Sequence, residues 1–286
     1  MQVQVQVQVQ AQVQEQEQEQ EQEQEQVQVQ VQEQGQEQEQ VQVQVKSASQ
    51  VGALRRNLKS MQTVVAIYTG QGLADPLKKV FQELLPDIRL VNIIDDSLIG
   101  DVVRAGHIPE VVTRHLVQYY RHAEEIGADV ILNTCSSVGD VADEAGGTFG
   151  TPIVRIDEWM AAKAVASYAR IGVLATLPST LEPTLRLIGR KADEAGRQVQ
   201  LVNGLAEGAF DALISGKPEE HDRLLLETAM RVAKEADVLV LAQGSMVRME
   251  KALEEATGKP VLSSPRSGVE HVKAILEAAK EDKSGS

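Results

Sequence analysis

The single cysteine, Cys135, stands in the run Asn133-Thr134-Cys135-Ser136-Ser137, directly after the apolar stretch Val130-Ile131-Leu132. A thiol that follows a strand, opens a helix and sits among hydroxyl and amide donors can have a lowered pKa and serve as base or nucleophile. The same residue packed as a small hydrophobe does no chemistry. Four more small, polar runs follow apolar stretches: Thr69 to Gly72, Thr176 to Thr180, Ala242 to Met246 and Ser263 to Gly268. Hydroxyls together with helix N-terminal amides hold a carboxylate without a buried lysine. The candidates for that work are Thr69, Gln71, Asn133, Ser136, Ser137, Thr176, Ser179 and Thr180. Gln243 and Ser245 belong to the run Ala242 to Met246 and are candidates with them. Arg266 in the last run could pair with a substrate carboxylate or form a surface ion pair.

Other chemistries fit less well. Thr69-Gly70-Gln71-Gly72 lacks the third glycine of a dinucleotide fingerprint, and no Walker lysine follows. Asp95-Asp96, Asp157-Glu158 and Glu219-Glu220 read as helix caps and dipole partners. The five histidines, at 107, 115, 122, 221 and 271, form no HxH or HxxxH pair, and one cysteine allows neither an intrachain disulfide nor a Cys-rich metal site. No metal is expected.

Positioning these loops falls to the 240 residues after Lys46. From Met61 the chain alternates apolar β-rich runs with helical stretches. The expected strands are 64–68, 88–94, 130–132, 152–156, 171–175, 199–202, 238–241 and 261–262. Such alternation implies parallel sheets covered by helices, and continuous apolar runs suit strands buried on both faces. Ligands bind beyond the carboxyl ends of such strands. The same order occurs in both halves, so the fold class is α/β with two similar lobes and a cleft between them.

Residues 1–46 are different. Every even position from Gln2 to Gln44 is glutamine, alternating with Val, Glu, one Ala and one Gly. Two readings stand: low-complexity material from a drifting in-frame repeat, or a β-type assembly segment that forms fibres. Residues 47–60 read as a linker. The run carries nine Glu and one Lys, so it holds −8 of the net charge of −14 and leaves −6 for the rest. With no basic stripe and 3% aromatic residues, nucleic-acid binding is not expected. No apolar run reaches membrane-spanning length and no signal-peptide pattern opens the chain, so a cytoplasmic location is expected.

The ordered set AIYTGQG (66–72), EEIGADVILNTCSS (124–137), TPIVRIDEWM (151–160), RIGVLATLPST (170–180), ADVLVLAQGSM (236–246) and SSPRSG (263–268) resembles the aspartate/glutamate/hydantoin racemase superfamily, whose relatives include maleate isomerases and arylmalonate decarboxylases. The resemblance covers about 220 residues, Met61 to Lys280. It implies two pseudo-symmetric lobes, 61–156 and 157–266, with the helix from about 267 to 286 returning to the first. It also implies cofactor-independent racemase or isomerase chemistry on a small carboxylate, and a homo-oligomer. In that family a cysteine from each lobe faces the substrate α-carbon. Cys135 matches the first. Gln243 falls on or near the second, and Gln cannot act as a base. The open outcomes are Ser245 or water as the second acid, a one-sided decarboxylase or lyase, and a non-enzymatic carboxylate binder.

Overall fold

The structure is a computed structural model, and it describes residues 61–284. The expectations for the Gln-alternating run and the linker lie outside the described residues.

Among the described residues, eight strands form two four-stranded, wholly parallel sheets. The first is ordered β2-β1-β3-β4, with β1 Thr63–Tyr68, β2 Arg89–Ile94, β3 Val130–Asn133 and β4 Ile153–Arg155. The second repeats that order as β6-β5-β7-β8, with β5 Arg170–Ala175, β6 Gln200–Leu205, β7 Val238–Leu241 and β8 Val261–Leu262. The central strands β1 (TVVAIY), β3 (VILN) and β7 (VLVL) are buried at every residue, as strands covered on both faces must be. Edge strands β2 and β6 are more open.

Parallel pairing demands crossover helices, and these supply the outer layers. In the first lobe they are α1 Ala74–Leu84, α2 Ser97–Ala105, α3 Glu110–Ile126 and α4 Gly139–Ala145. After β4 come α5 Glu158–Ser167, α6 Pro178–Glu194, α7 Ala209–Ile214, α8 Pro218–Val232 and α9 Glu250–Thr257. Val112, Leu116, Tyr120 and Ala123 fall three to four residues apart on α3, and all are buried. With Val65, Ile67 and Ile131 they fill one face of the first sheet. Both sheets follow this plan, with one apolar cluster on each face.

The last helix, α10 Ser264–Ser284, leaves the second sheet and packs on the first. Its Val269, Val272 and Leu276 share a cluster with Val64, Ala66, Tyr68, Leu132 and Ile156. Among the described residues no helix is long and apolar enough to cross a membrane. Leu276→Ala should therefore destabilise the protein by about 2–4 kcal/mol in urea titration, since a buried leucine is removed from a shared core. Met230→Ala, at a half-exposed position on α8, should change it by less than about 0.5 kcal/mol.

Candidate functional site

The repeated strand order places two loops in equivalent positions. Cys135 is two residues beyond β3, and Gln243 is two residues beyond β7. Their backbones are nearly the same: φ −122°, ψ 115° at Cys135 and φ −121°, ψ 128° at Gln243. Each opens a 3-10 turn, Ser136–Val138 or Gly244–Met249. Each loop is pinned alike to the neighbouring strand. The Thr134 N–H donates to the Ile67 carbonyl at 3.1 Å, and the Ala242 N–H donates to that of Leu174 at 2.9 Å.

A threonine completes each half. Thr69, just after β1, hydrogen-bonds the Cys135 thiol. Thr176, just after β5, donates its N–H at 2.8 Å and its hydroxyl at 2.9 Å to the Gln243 side-chain oxygen. One lobe thus presents a threonine–thiol pair, the other a threonine–amide pair. Both Cys135 and Gln243 line one cavity of about 270 Å³ between the lobes. Gly244 lies on the same wall. A Cβ there would come within 2.8 Å of Leu73 Cδ2, so glycine lets the β7 loop approach the β1 loop closely.

Cys135 is partly accessible, which opens it to the cavity, yet protein surrounds it closely enough for desolvation to dominate its acidity. Burial pushes the thiol above its ordinary pKa. Hydrogen bonds from the Thr69 and Ser137 hydroxyls and the Ser137 and Val138 amides pull it back only in part. The lowered pKa expected from the sequence is therefore corrected. Donors surround the sulfur as anticipated, but burial outweighs them. Ser137 and Thr180 are 2.8 Å apart across the lobes. With Ser137 donating to sulfur, its oxygen accepts from Thr180, and this chain of donors spans the cleft.

The Cys135 loop rests on a polar support. Asn133 Nδ2 donates to the Cys135 carbonyl at 3.1 Å, and Asn133 Oδ1 accepts from the Tyr120 hydroxyl at 3.3 Å. Beneath the following helix lies Arg155, only 1% exposed, held by Asp157 at 3.0 and 3.1 Å and by Asp143 at 2.6 Å. These anions raise the Arg155 pKa despite burial. A Cβ at Gly139 would lie 2.3 Å from the guanidinium carbon, so that residue must be glycine for α4 to sit over Arg155. Arg186 and Arg190 of α6 reach Asp140 and Asp143 at 2.6 and 2.7 Å, tying the second lobe to the same cluster. The reading of Asp157 as a cap is replaced by this buried ion pair, since its side chain caps no helix.

A model of the Asp/Glu/hydantoin racemase family matches residues 64–272. The chain belongs to that family. Its fold is similar to that of the RacE1 isoform of glutamate racemase from Bacillus anthracis, with a TM-score of 0.63 at 13% identity over 76% of this chain and 82% of that one. It is also similar to aspartate racemase from Picrophilus torridus, at 0.59 and 14% over 75% and 94%, and to allantoin racemase from Klebsiella pneumoniae, at 0.56 and 16% over 76% and 89%. No curated protein matches it in sequence. Family membership makes the chain a racemase-like isomerase in class.

Of the site residues expected from sequence, Thr69, Cys135, Ser136, Ser137, Thr180, Gln243 and Ser245 come together on the cavity wall. The others do not. Asn133 is buried behind the loop as its support. The N–H and hydroxyl of Thr176 are both donated to Gln243. Gln71 is exposed and donates to Asp96 at 2.9 Å. Arg266 is exposed and pairs with Glu83 and Glu270, which is the surface-bridge alternative. Ser179 lines a different, larger cavity of about 520 Å³ with Asp140, Glu144, Glu182 and Arg186. No cysteine lines that cavity. Sequence reasoning missed Ile99 on α2 and Phe210 on α7, apolar parts of the wall that no small-polar run announces, and it passed over Leu177 inside the run Thr176 to Thr180.

Cys135 is the only thiol in the chain, so its titration can be read directly by alkylation. The iodoacetamide rate should keep rising with pH beyond the ordinary thiol pKa of about 8.5. Thr69→Val should slow the reaction at pH 8 about tenfold, because a hydrogen bond to the charged sulfur is lost.

Proposed function

We propose that this protein is a cofactor-independent racemase or isomerase of small carboxylates in which Cys135 transfers the proton. The observation that carries this reading is that the one thiol and its topological equivalent, Gln243, reach the same cavity from the two lobes. The Ser136 hydroxyl and the Gly244 and Ser245 amides that open the second 3-10 turn are the donors for the substrate carboxylate and for the enediolate formed when the α-proton leaves, while the Ser137 and Thr180 hydroxyls stay in the donor chain to sulfur. The Cys135 thiolate takes that proton as base.

Gln243 has no proton to give as an acid, and its side-chain oxygen is engaged by Thr176. Return of the proton from Cys135 restores the starting hand. Inversion requires Ser245 or a water on the other face. Exchange of the α-proton therefore outruns inversion. With an enantiopure substrate in deuterated water, deuterium uptake with retention should exceed inversion at least about tenfold, and Cys135→Ala should abolish both. Gln243→Cys should raise inversion relative to exchange by placing a second thiol at the equivalent position. Inversion as fast as exchange in the unaltered protein would overturn the one-sided mechanism, and activity in Cys135→Ala would overturn the role of the thiol.

The raised thiol pKa favours a second reading. At neutral pH Cys135 is mostly protonated and stands as an acid, suited to protonating a carbanion left by loss of CO2. The two readings have opposite pH signs. A reaction that needs thiolate gains rate as pH rises toward the raised pKa, whereas one that needs thiol loses rate above it. The pH profile of kcat/KM on a malonate, set beside α-proton exchange on a monocarboxylate, separates them.

A further inference from the structure

Among the described residues, no charged side chain lines the cavity around Cys135. Its polar groups are hydroxyls, the thiol, one amide and backbone. The remainder is apolar, and much of it belongs to no core. Ile99, Leu177 and Phe210 lie outside all four apolar clusters that stabilise the lobes, yet all three line the cavity. Ile99 and Phe210 are only half-buried. They come from α2 and α7, the helices that follow β2 and β6, so the two lobes offer one apolar side chain each from equivalent places. Leu73 adds a fourth apolar contact from the β1 loop.

Resting on the carboxylate reading above, we infer that the substrate is a monocarboxylate whose remaining substituent is apolar and uncharged, lying between Ile99 and Phe210. The hydroxyls and turn amides meet one carboxylate. A second carboxylate would be desolvated against Phe210, Ile99 and Leu177 with no cation to pair with, and an ammonium group would find no carboxylate on the wall. An apolar substituent, in contrast, covers side chains that are otherwise open to water and that contribute to no core. A pocket of this kind discriminates strongly against groups that leave a charge unpaired, and more weakly among apolar groups of different size. Aspartate and glutamate are therefore poor ligands, and Phe210 is a specificity-determining residue.

Protection of Cys135 from iodoacetamide reads occupancy without requiring turnover. On the full chain, phenylacetate and isovalerate should half-protect the thiol at concentrations at least tenfold below those of aspartate, glutamate or succinate. Phe210→Ala should cut the advantage of phenylacetate at least fivefold. Ile99→Ala should act in the same direction, which guards against a folding defect in either variant. Phe210→Arg should move the preference toward succinate. Equal or better protection by aspartate or glutamate overturns the inference. Protection by neutral phenylacetamide but by no carboxylate keeps the apolar preference and overturns the carboxylate reading. Protection by none of these compounds overturns both. Protection by phenylacetate without α-proton exchange on any monocarboxylate leaves the specificity standing and counts against the proposed reaction alone.

Discussion

Parallel-sheet geometry is the constraint on which this site depends. In each lobe the two central strands end side by side, so the residue after one and the second residue after the other must meet: Thr69 with Cys135, Thr176 with Gln243. Backbone hydrogen bonds from Thr134 and Ala242 fix both junctions. The side chains placed there can differ without disturbing the scaffold, since φ and ψ at the two positions agree to within 13°. A thiol on one side and an amide on the other therefore changes the chemistry and leaves the architecture intact. Asymmetry of reaction arises within symmetry of backbone.

The thiol side carries a second cost that the amide side does not. Arg155 is buried under the start of α4, where an unpaired guanidinium would be strongly unfavourable. Asp157 and Asp143 neutralise it, and Asp140 and Asp143 also accept from Arg186 and Arg190 of the other lobe. The cluster fixes the helix that follows Cys135, and it links the lobes close to the Ser137–Thr180 contact. At the thiol, hydrogen bonds from hydroxyls and amides do not offset burial, and desolvation decides the sign of the pKa shift.

The central strands were legible in the sequence because burial on both faces leaves uninterrupted apolar runs such as VVAIY and VLVL. The strand-end loops were legible too, through their hydroxyls and glycines. Helices α2 and α7, nine and six residues long, carry too few turns for a clear 3.6-residue period, and Ile99 and Phe210 went unseen with them. Arg155 was legible only as part of a strand and Asp157 as a helix cap, because nothing local announces a buried ion pair. Gln71, Ser179 and Arg266 were drawn into the site by membership of the right loops. Being in a strand-end loop does not decide which way a side chain points: Gln71 and Arg266 lie exposed, and Ser179 turns to the neighbouring cavity.

The most direct test is a crystal structure of the protein with phenylacetate bound. The α-carbon should lie between Cys135 Sγ and the side-chain nitrogen Nε2 of Gln243, about 3–4 Å from sulfur, with the carboxylate on the Ser136 hydroxyl and the Gly244 and Ser245 amides and the ring against Phe210. A ligand seated in the larger cavity beside Glu144 and Glu182, or one whose α-carbon lies out of reach of sulfur, would contradict the assignment of Cys135 as the proton-transferring group.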